Sequence, residues 1–466
     1  MKKLTAFVLA VSLAAAASPA SALGWNELGA QQFGMGGAGV ADAQGPLAAY
    51  WNPAALGRPG MNAYGLALPV DAEVNIKGPV IQGAKDLSTC ASNGAGCTQG
   101  QLDQARSELS HPGEGLLANA GGGGNLKIGK FTVFLNEFVD LGAQPNVDPN
   151  NAHWIIGPGL ASNTSSLIIR GVRLGELGVA YGHELPWTPG LYLGGDVKVM
   201  RAEVGFANYG VVSNSNFNAQ SISKNLQSNT ADSGNFGVDA GALWDLDKSF
   251  DGVVWAPRLG VTGHNLNNPK FDEPGEASQL GYGRFAVNPS ARAGLSFSPE
   301  HWWHFAADAD LTKNLTSIDD AQSQYVGAGT EIDVFNRSWI NIPVRVGIKH
   351  NMANTADGAT FTAGTGVNLL HFIVDVSGEY ANQDVTTQSV NGSTKIPKQF
   401  GAAIQLSFLF GGADERREHA SATADDQVVP SEKARGDMNP SAADRVRADS
   451  DRAHQELNSQ PAPSGQ

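Results

Sequence analysis

Apolar and polar residues alternate one by one over long tracts of this chain. Across 340–348, Ile340, Ile342, Val344, Val346 and Ile348 fall on one face and Asn341, Pro343, Arg345 and Gly347 on the other. Phe372, Val374, Val376 and Tyr380 oppose His371, Asp375, Ser377 and Glu379 in the same way. So do Trp303, Phe305, Ala307, Ala309 and Leu311 against His304, Asp308 and Asp310. Tracts 291–298 and 361–369 repeat the pattern. A period of two belongs to a β-strand with one dry and one polar side. The tracts are mostly long enough for a tilted strand to cross a bilayer, and strands of soluble sandwiches are usually shorter.

The alternation predicts strands at 60–76, 115–128, 131–143, 164–185, 190–206, 234–246, 255–266, 287–299, 302–312, 324–335, 340–350, 359–369, 371–381 and 398–410. That is about fourteen, an even number, as in bacterial single-chain barrels. Tract 164–185 can also be read as two strands. Lys198 and Arg201 fall out of phase within 190–206, which suggests a bulge. Trp187, Trp244, Trp255, Trp302, Trp303 and Trp339 stand near predicted strand ends, where amphipathic rings form girdles at the headgroup level. The expected fold is all-β, a transmembrane antiparallel β-barrel; the alternative is a soluble exported β-sandwich with those rings in its core.

On this reading the polar faces, with Asp239, Arg258, Arg292, Asp308, Asp310, Arg345, Lys349, Asp375 and Glu379, line a wet lumen in which charges of both signs pair. Asp308 and Asp310 share a strand face, but no His, Ser or Cys stands by them in a hydrolase-like arrangement. We expect no catalytic residue, no cofactor and no metal site, and do not read the chain as an enzyme. The last tract closes with Gln399, Gly401, Ile404, Leu406, Phe408 and Phe410, an order that resembles the insertion signal of outer-membrane barrels.

Composition narrows the setting. Lys2 and Lys3, an apolar run over 4–17 and the small residues Ala20, Ser21 and Ala22 form a secretory signal, with cleavage expected between Ala22 and Leu23. No later apolar run is long enough for a transmembrane helix. A net charge of −14 argues against nucleic acid as a direct partner. Cys90 and Cys97, in an exported chain, are expected to close a small disulfide loop that staples a connection. The tail 413–466 is rich in charge, Ala, Ser and Pro and has no aromatic residue, so it is expected to stay disordered in the periplasm.

Between signal and first strand lies GMGGAGVADAQGPLAAYWNPAAL. Gly34-x-Gly36-x-x-Gly39 has the spacing of a dinucleotide loop, but no apolar strand precedes it, as that loop requires. The other reading is a compact plug. Gly34, Gly36, Gly37 and Gly39 would permit close backbone approach, and Asn52, Pro53 and Ala54 would start a short helical turn ended by Gly57.

This stretch resembles the N-terminal hatch of FadL-type outer-membrane transporters, in which a glycine-rich leader runs into Asn-Pro-Ala-Gly. Asn52, Pro53 and Ala54 match, and Ala55 stands in place of the Gly. RLGVTGHNLNNPKF (258–271), DADLTKN (308–314) and VRVGIKHN (344–351) resemble the branch known as conjugal transfer TraF-like proteins. The thioredoxin-like protein of the same name is a different one, since this chain has no Cys-x-x-Cys. The resemblance spans 24–412. It implies a 14-stranded barrel at 59–412 with a hatch, 23–58, inside the lumen. It also implies a passive channel for hydrophobic small molecules of the fatty acid or hydrocarbon class in a Gram-negative outer membrane. Lipid and an apolar ligand are the expected partners, with envelope proteins reached through the tail. The alternative function is a structural or assembly part of a conjugative transfer or secretion apparatus.

Overall fold

The computed structural model describes residues 24–59, 63–92, 97–212, 219–337, 339–354, 357–389 and 392–410. The expected signal with its cleavage point at Ala22 and Leu23, and the tail 413–466, lie outside the described residues.

The strands are β1 (Tyr64–Lys77), β2 (Gly115–Ile128), β3 (Phe131–Asn146), β4 (Ser166–Glu184), β5 (Leu191–Gly210), β6 (Thr230–Asp245), β7 (Arg258–His264), β8 (Lys270–Phe271), β9 (Phe285–Ala286) and β10 (Ser290–Glu300). There follow β11 (Trp303–Asp310), β12 (Asn314–Leu315), β13 (Gln322–Ser323), β14 (Tyr325–Arg337), β15 (Ile340–Asn351), β16 (Ala359–Leu369), β17 (Phe372–Ala381), β18 (Asp384–Ser389), β19 (Gly392–Pro397) and β20 (Gln399–Phe410). β8 and β9, β12 and β13, and β18 and β19 form small two-stranded ribbons in loops. The other fourteen close into one antiparallel barrel, each pairing with the next along the chain. β20 seals the ring against β1, with Tyr64 opposite Phe410 and Asn75 opposite Gln399.

These fourteen follow the alternating tracts closely, with three departures. Tract 164–185 is one strand, β4, in unbroken register with β3 and β5. There is no bulge at Lys198 and Arg201, because β5 keeps register with both neighbours. The two residues point to opposite sides. Lys198 is buried inward, and Arg201 faces outward and pairs with Asp232 at 2.5 Å. β4 and β5 run to 19 and 20 residues, longer than a bilayer requires, so outward positions beyond the hydrocarbon can carry charge. Third, 255–266 yields a strand of only 7 residues, β7. The chain enters and leaves it through left-handed residues, Ala256 (φ 42°) and Asn265 (φ 53°).

Outward positions carry a band of exposed apolar side chains, among them Val70, Leu135, Leu177, Val197, Phe236 and Ile404. Trp187, Trp255, Trp302 and Trp339 lie in the turns of one end of the barrel and are exposed. Trp303 is half-buried, its indole N–H donating to Thr330 Oγ1 at 2.9 Å. Trp244 does not belong to this girdle. It is buried, packs against Phe250 and donates to Ser249 Oγ at 2.7 Å, because the turn after β6 folds back over it.

Long connections gather at the other end. Helices Val80–Ser92 and Gln99–Leu109 join β1 to β2, and the Cys90–Cys97 disulfide links them. They share an apolar cluster with Trp154 and Leu160 of the connection 147–165. Asp148 ties that connection, accepting from the amides of Asn150 and Thr164 and from the Thr164 hydroxyl, with His153 Nδ1 at 2.8 Å. Burial opposes its charge, but these donors outweigh that and hold the carboxyl well below the usual carboxylate range.

Candidate functional site: the filled lumen

Residues 24–58 are too rich in Gly and Ala for long regular structure. They fold as short pieces, the helices Ala30–Gly34 and Ala48–Trp51 and the 3-10 turns Gly45–Leu47 and Pro53–Gly57. Asn52 caps the last turn, its Oδ1 accepting from the Ala54 amide at 3.1 Å, with Pro53 in the first position. Asn52 Nδ2 donates to the carbonyls of Val40 and, on β6, Ala242. Trp25, Leu28, Leu47, Trp51 and Leu56 form an apolar cluster with Phe134 and Phe138 of β3 and Tyr192 of β5.

The same segment reaches the opposite wall. Asp308 of β11 accepts from the amides of Gly39 and Val40 at 2.8 and 2.9 Å. Thr362 of β16 accepts from the Gly36 amide and donates to the Gly34 carbonyl. Arg292 and Ser296 of β10 donate to the carbonyls of Gly37 and Ala41, and Ser377 of β17 to that of Ala30. Partners so spread around a closed ring meet one short segment only from within it.

Close approach explains the glycines. Gly36 sits at φ 70°, and a Cβ there would lie 2.6 Å from the Ile348 carbonyl oxygen and 2.8 Å from that of Ala328. A Cβ on Gly39 would lie 2.6 Å from the Trp51 ring. Gly57 does not end its turn in a left-handed conformation; it is where the turn touches the backbone of His183 on β4.

The lumen differs from the wet one expected. Its charged side chains are buried, and the segment 24–58 takes the place of water beside them. Asp310 pairs with Arg292 of the neighbouring strand at 2.7 Å, while its companion Asp308 serves backbone amides. Arg345 pairs with Glu331 and Asp375 at 2.5 and 2.7 Å, and Lys198 with Glu176 and Asp239. Arg258 stands 3.6 Å from Asp42, and Arg58 donates to Asp245 at 3.1 Å. Lys349 meets three carboxylates, Glu379 at 2.7 Å, Glu27 at 3.0 Å and Glu73 at 3.3 Å. Gln399 of the terminal pattern also turns inward and donates to Glu73 and Glu379, while Ile404 and Phe410 face out.

One part of the inner wall is apolar. Val172 and Leu174 of β4 and Met200, Ala202 and Val204 of β5 form a buried cluster. Phe271, Phe285 and Val287 of the connection between β7 and β10 cover it. That connection turns in because β7 stops short. Arg170 of β4 holds it by an ion pair to Glu273, and its guanidinium lies over the rings of Tyr282 and Phe285.

No group of His, Cys, Asp and Glu among the described residues is arranged to hold a metal ion. What the lumen offers is a packed polar contact around 24–58 and an apolar wall under a folded-in loop. Parity places the anchors Asp308, Thr362 and Lys349 on inward faces, but not against the plug. The usable signal was the small inward residues Gly329 and Gly347, which face Met35 and Gly36.

The family model described as F plasmid transfer operon, TraF, protein matches residues 49–310. No curated protein matches the chain. Among solved structures, the Pseudomonas putida toluene transporter TodX is 14% identical, covering 83% of this chain and 99% of its own, with a TM-score of 0.46. The Ralstonia pickettii toluene transporter TbuX is 13% identical over 82% of this chain and 98% of its own, at a TM-score of 0.44. A Pseudomonas aeruginosa FadL homologue is 15% identical over 85% and 99%, at 0.40.

Proposed function

The chain belongs to the family of the F plasmid transfer operon TraF protein, and we propose that this member passes apolar small molecules through the outer membrane without an energy source. Residues 23–58 act as its hatch. The observation that carries this reading is the apolar inner wall of β4 and β5. A pore for polar solutes gains nothing from Leu174, Met200 and Val204 on its inner face, whereas an apolar solute gains about 25 cal/mol for each Å² it buries there. A ligand replaces Phe271 and Phe285 on that wall, and movement of the hatch opens the way onward. The experiment is uptake of a radiolabelled alkane or arene by cells making the protein. Met200→Gln, which puts an amide on the wall, is expected to lower the initial rate about tenfold, a cost of about 1.4 kcal/mol. Uptake no faster than in cells without the barrel would refute the reading.

The family description favours a second reading, a structural part of an envelope transfer apparatus. On that reading, deleting 413–466 leaves the barrel inserted but removes a partner from pull-downs. An unchanged set of captured proteins would count against it.

A further inference from the structure

A small cavity lies between the inner wall and the start of the hatch segment, lined in part by Trp25, Asn26, His264, Asn265, Glu176 and Lys198. Trp25, Asn26, His264 and Asn265 are each at least nine-tenths buried. Each carries a buried polar atom without a hydrogen-bond partner: Trp25 Nε1, Asn26 Nδ2, His264 Nε2 and Asn265 Oδ1. Trp25 and Asn26 also border a second cavity, with Asp71 and Glu73; native proteins leave few such atoms unmet, and four on the residues that line one cavity need an account. Val287 lines this cavity and also belongs to the apolar cluster on β4 and β5, so the polar pocket and the apolar wall adjoin.

We propose that this cavity takes the hydroxyl head of an amphiphile, an alkanol or phenol, whose apolar part lies on the β4–β5 wall. This rests on the reading of the barrel as a route for apolar molecules, and it selects a class of ligand within that reading. The selection follows from the donor and acceptor set. Two of the unmet atoms only donate (the Trp25 indole N–H and the Asn26 amide N–H), one only accepts (Asn265 Oδ1), and the histidine nitrogen does either. A hydroxyl accepts from the two donors and donates to Asn265 Oδ1, three bonds in kind, and a water beside it serves the histidine nitrogen. A carboxylate only accepts and an ammonium only donates, so each leaves a buried partner unmet.

The charges beside the cavity act against a carboxylate as well. Lys198 is already held between Glu176 and Asp239, and Asp196 is buried on the same strand as Lys198, directly opposite Asp239. The Arg292 guanidinium lies over the Trp25 ring but is paired with Asp310, so four carboxyls stand against two cations, a poor host for a fatty-acid head. The cavity has room for about two or three water-sized groups, enough for a hydroxyl and a water but not for a ring or chain.

The test is binding of 1-decanol, decanoate and decylamine to the purified detergent-solubilised barrel, by competition against a fluorescent apolar probe. Decanol is expected to compete at least about tenfold better than decanoate at neutral pH, the worth of one well-made polar contact. Trp25→Phe keeps the ring and removes one donor, and is expected to shrink that preference. Glu176→Gln removes one charge while Lys198 keeps Asp239, and is expected to strengthen decanoate alone. Heat-modifiable migration on gels confirms that both variants stay folded. Decanoate equal to or better than decanol overturns the proposal. If all three compete alike, the head pocket fails and the apolar route stands. If none competes, both fail.

Discussion

Replacing Gly36 with valine is expected to unseat the plug while the barrel stays closed. Gly36 sits at φ 70°, where an L-residue pays roughly 1–2 kcal/mol, and more when β-branched. Its Cβ would also lie within 2.8 Å of the carbonyl oxygens of Ile348 and Ala328, which belong to paired strands and cannot step aside. The segment must move instead, and the hydrogen bonds that Thr362 makes with Gly36 and Gly34 go with it, at about 1 kcal/mol each. The wall loses none of its own pairing. Cells making the variant should admit a bulky antibiotic that the native protein excludes, and protease should cut within 24–58, while heat-modifiable migration is unchanged. Native permeability with native protease resistance would show that this contact does not hold the segment.

Replacing Lys349 with methionine is expected to have the largest effect on stability. Its ammonium is the shared partner of Glu27, Glu73 and Glu379, all within 3.3 Å. Methionine matches the stem but leaves three carboxylates facing one another in a buried site, and breaking a buried pair in this way costs about 3–5 kcal/mol. The unfolding transition of the purified barrel should fall clearly. Glu27→Gln in the same chain should restore part of the loss, since it removes one of the stranded charges. A transition unmoved by the first substitution would mean the cluster is solvated rather than buried.

The barrel was readable because lipid and lumen impose opposite demands on successive residues, and β15, β16 and β17 satisfy both at nearly every position. Length was harder to read. Tract 255–266 is trimmed at both ends, where Ala256 and Asn265 take left-handed backbone, and alternation alone does not reveal that β7 is short. The apolar wall was hidden for the same reason. Val172 and Met200 share the alternation of an inner face, and only the folded-in loop shows what covers them. Polar inward residues suggested water because a strand pattern carries no information about its occupant. Asp308 looks the same facing solvent or facing the amides of Gly39 and Val40. Trp244 was misplaced because proximity to a strand end does not say which way the following turn folds.

The seam between β1 and β20 joins the first and last strands of the ring. The stretch it encloses lies just before β1, so it precedes the entire wall along the chain. Its apolar contacts, ion pairs and hydrogen bonds engage strands from β3 to β17. We expect the wall to roll up around its contents, with β20 zipping onto β1 over an interior already in place.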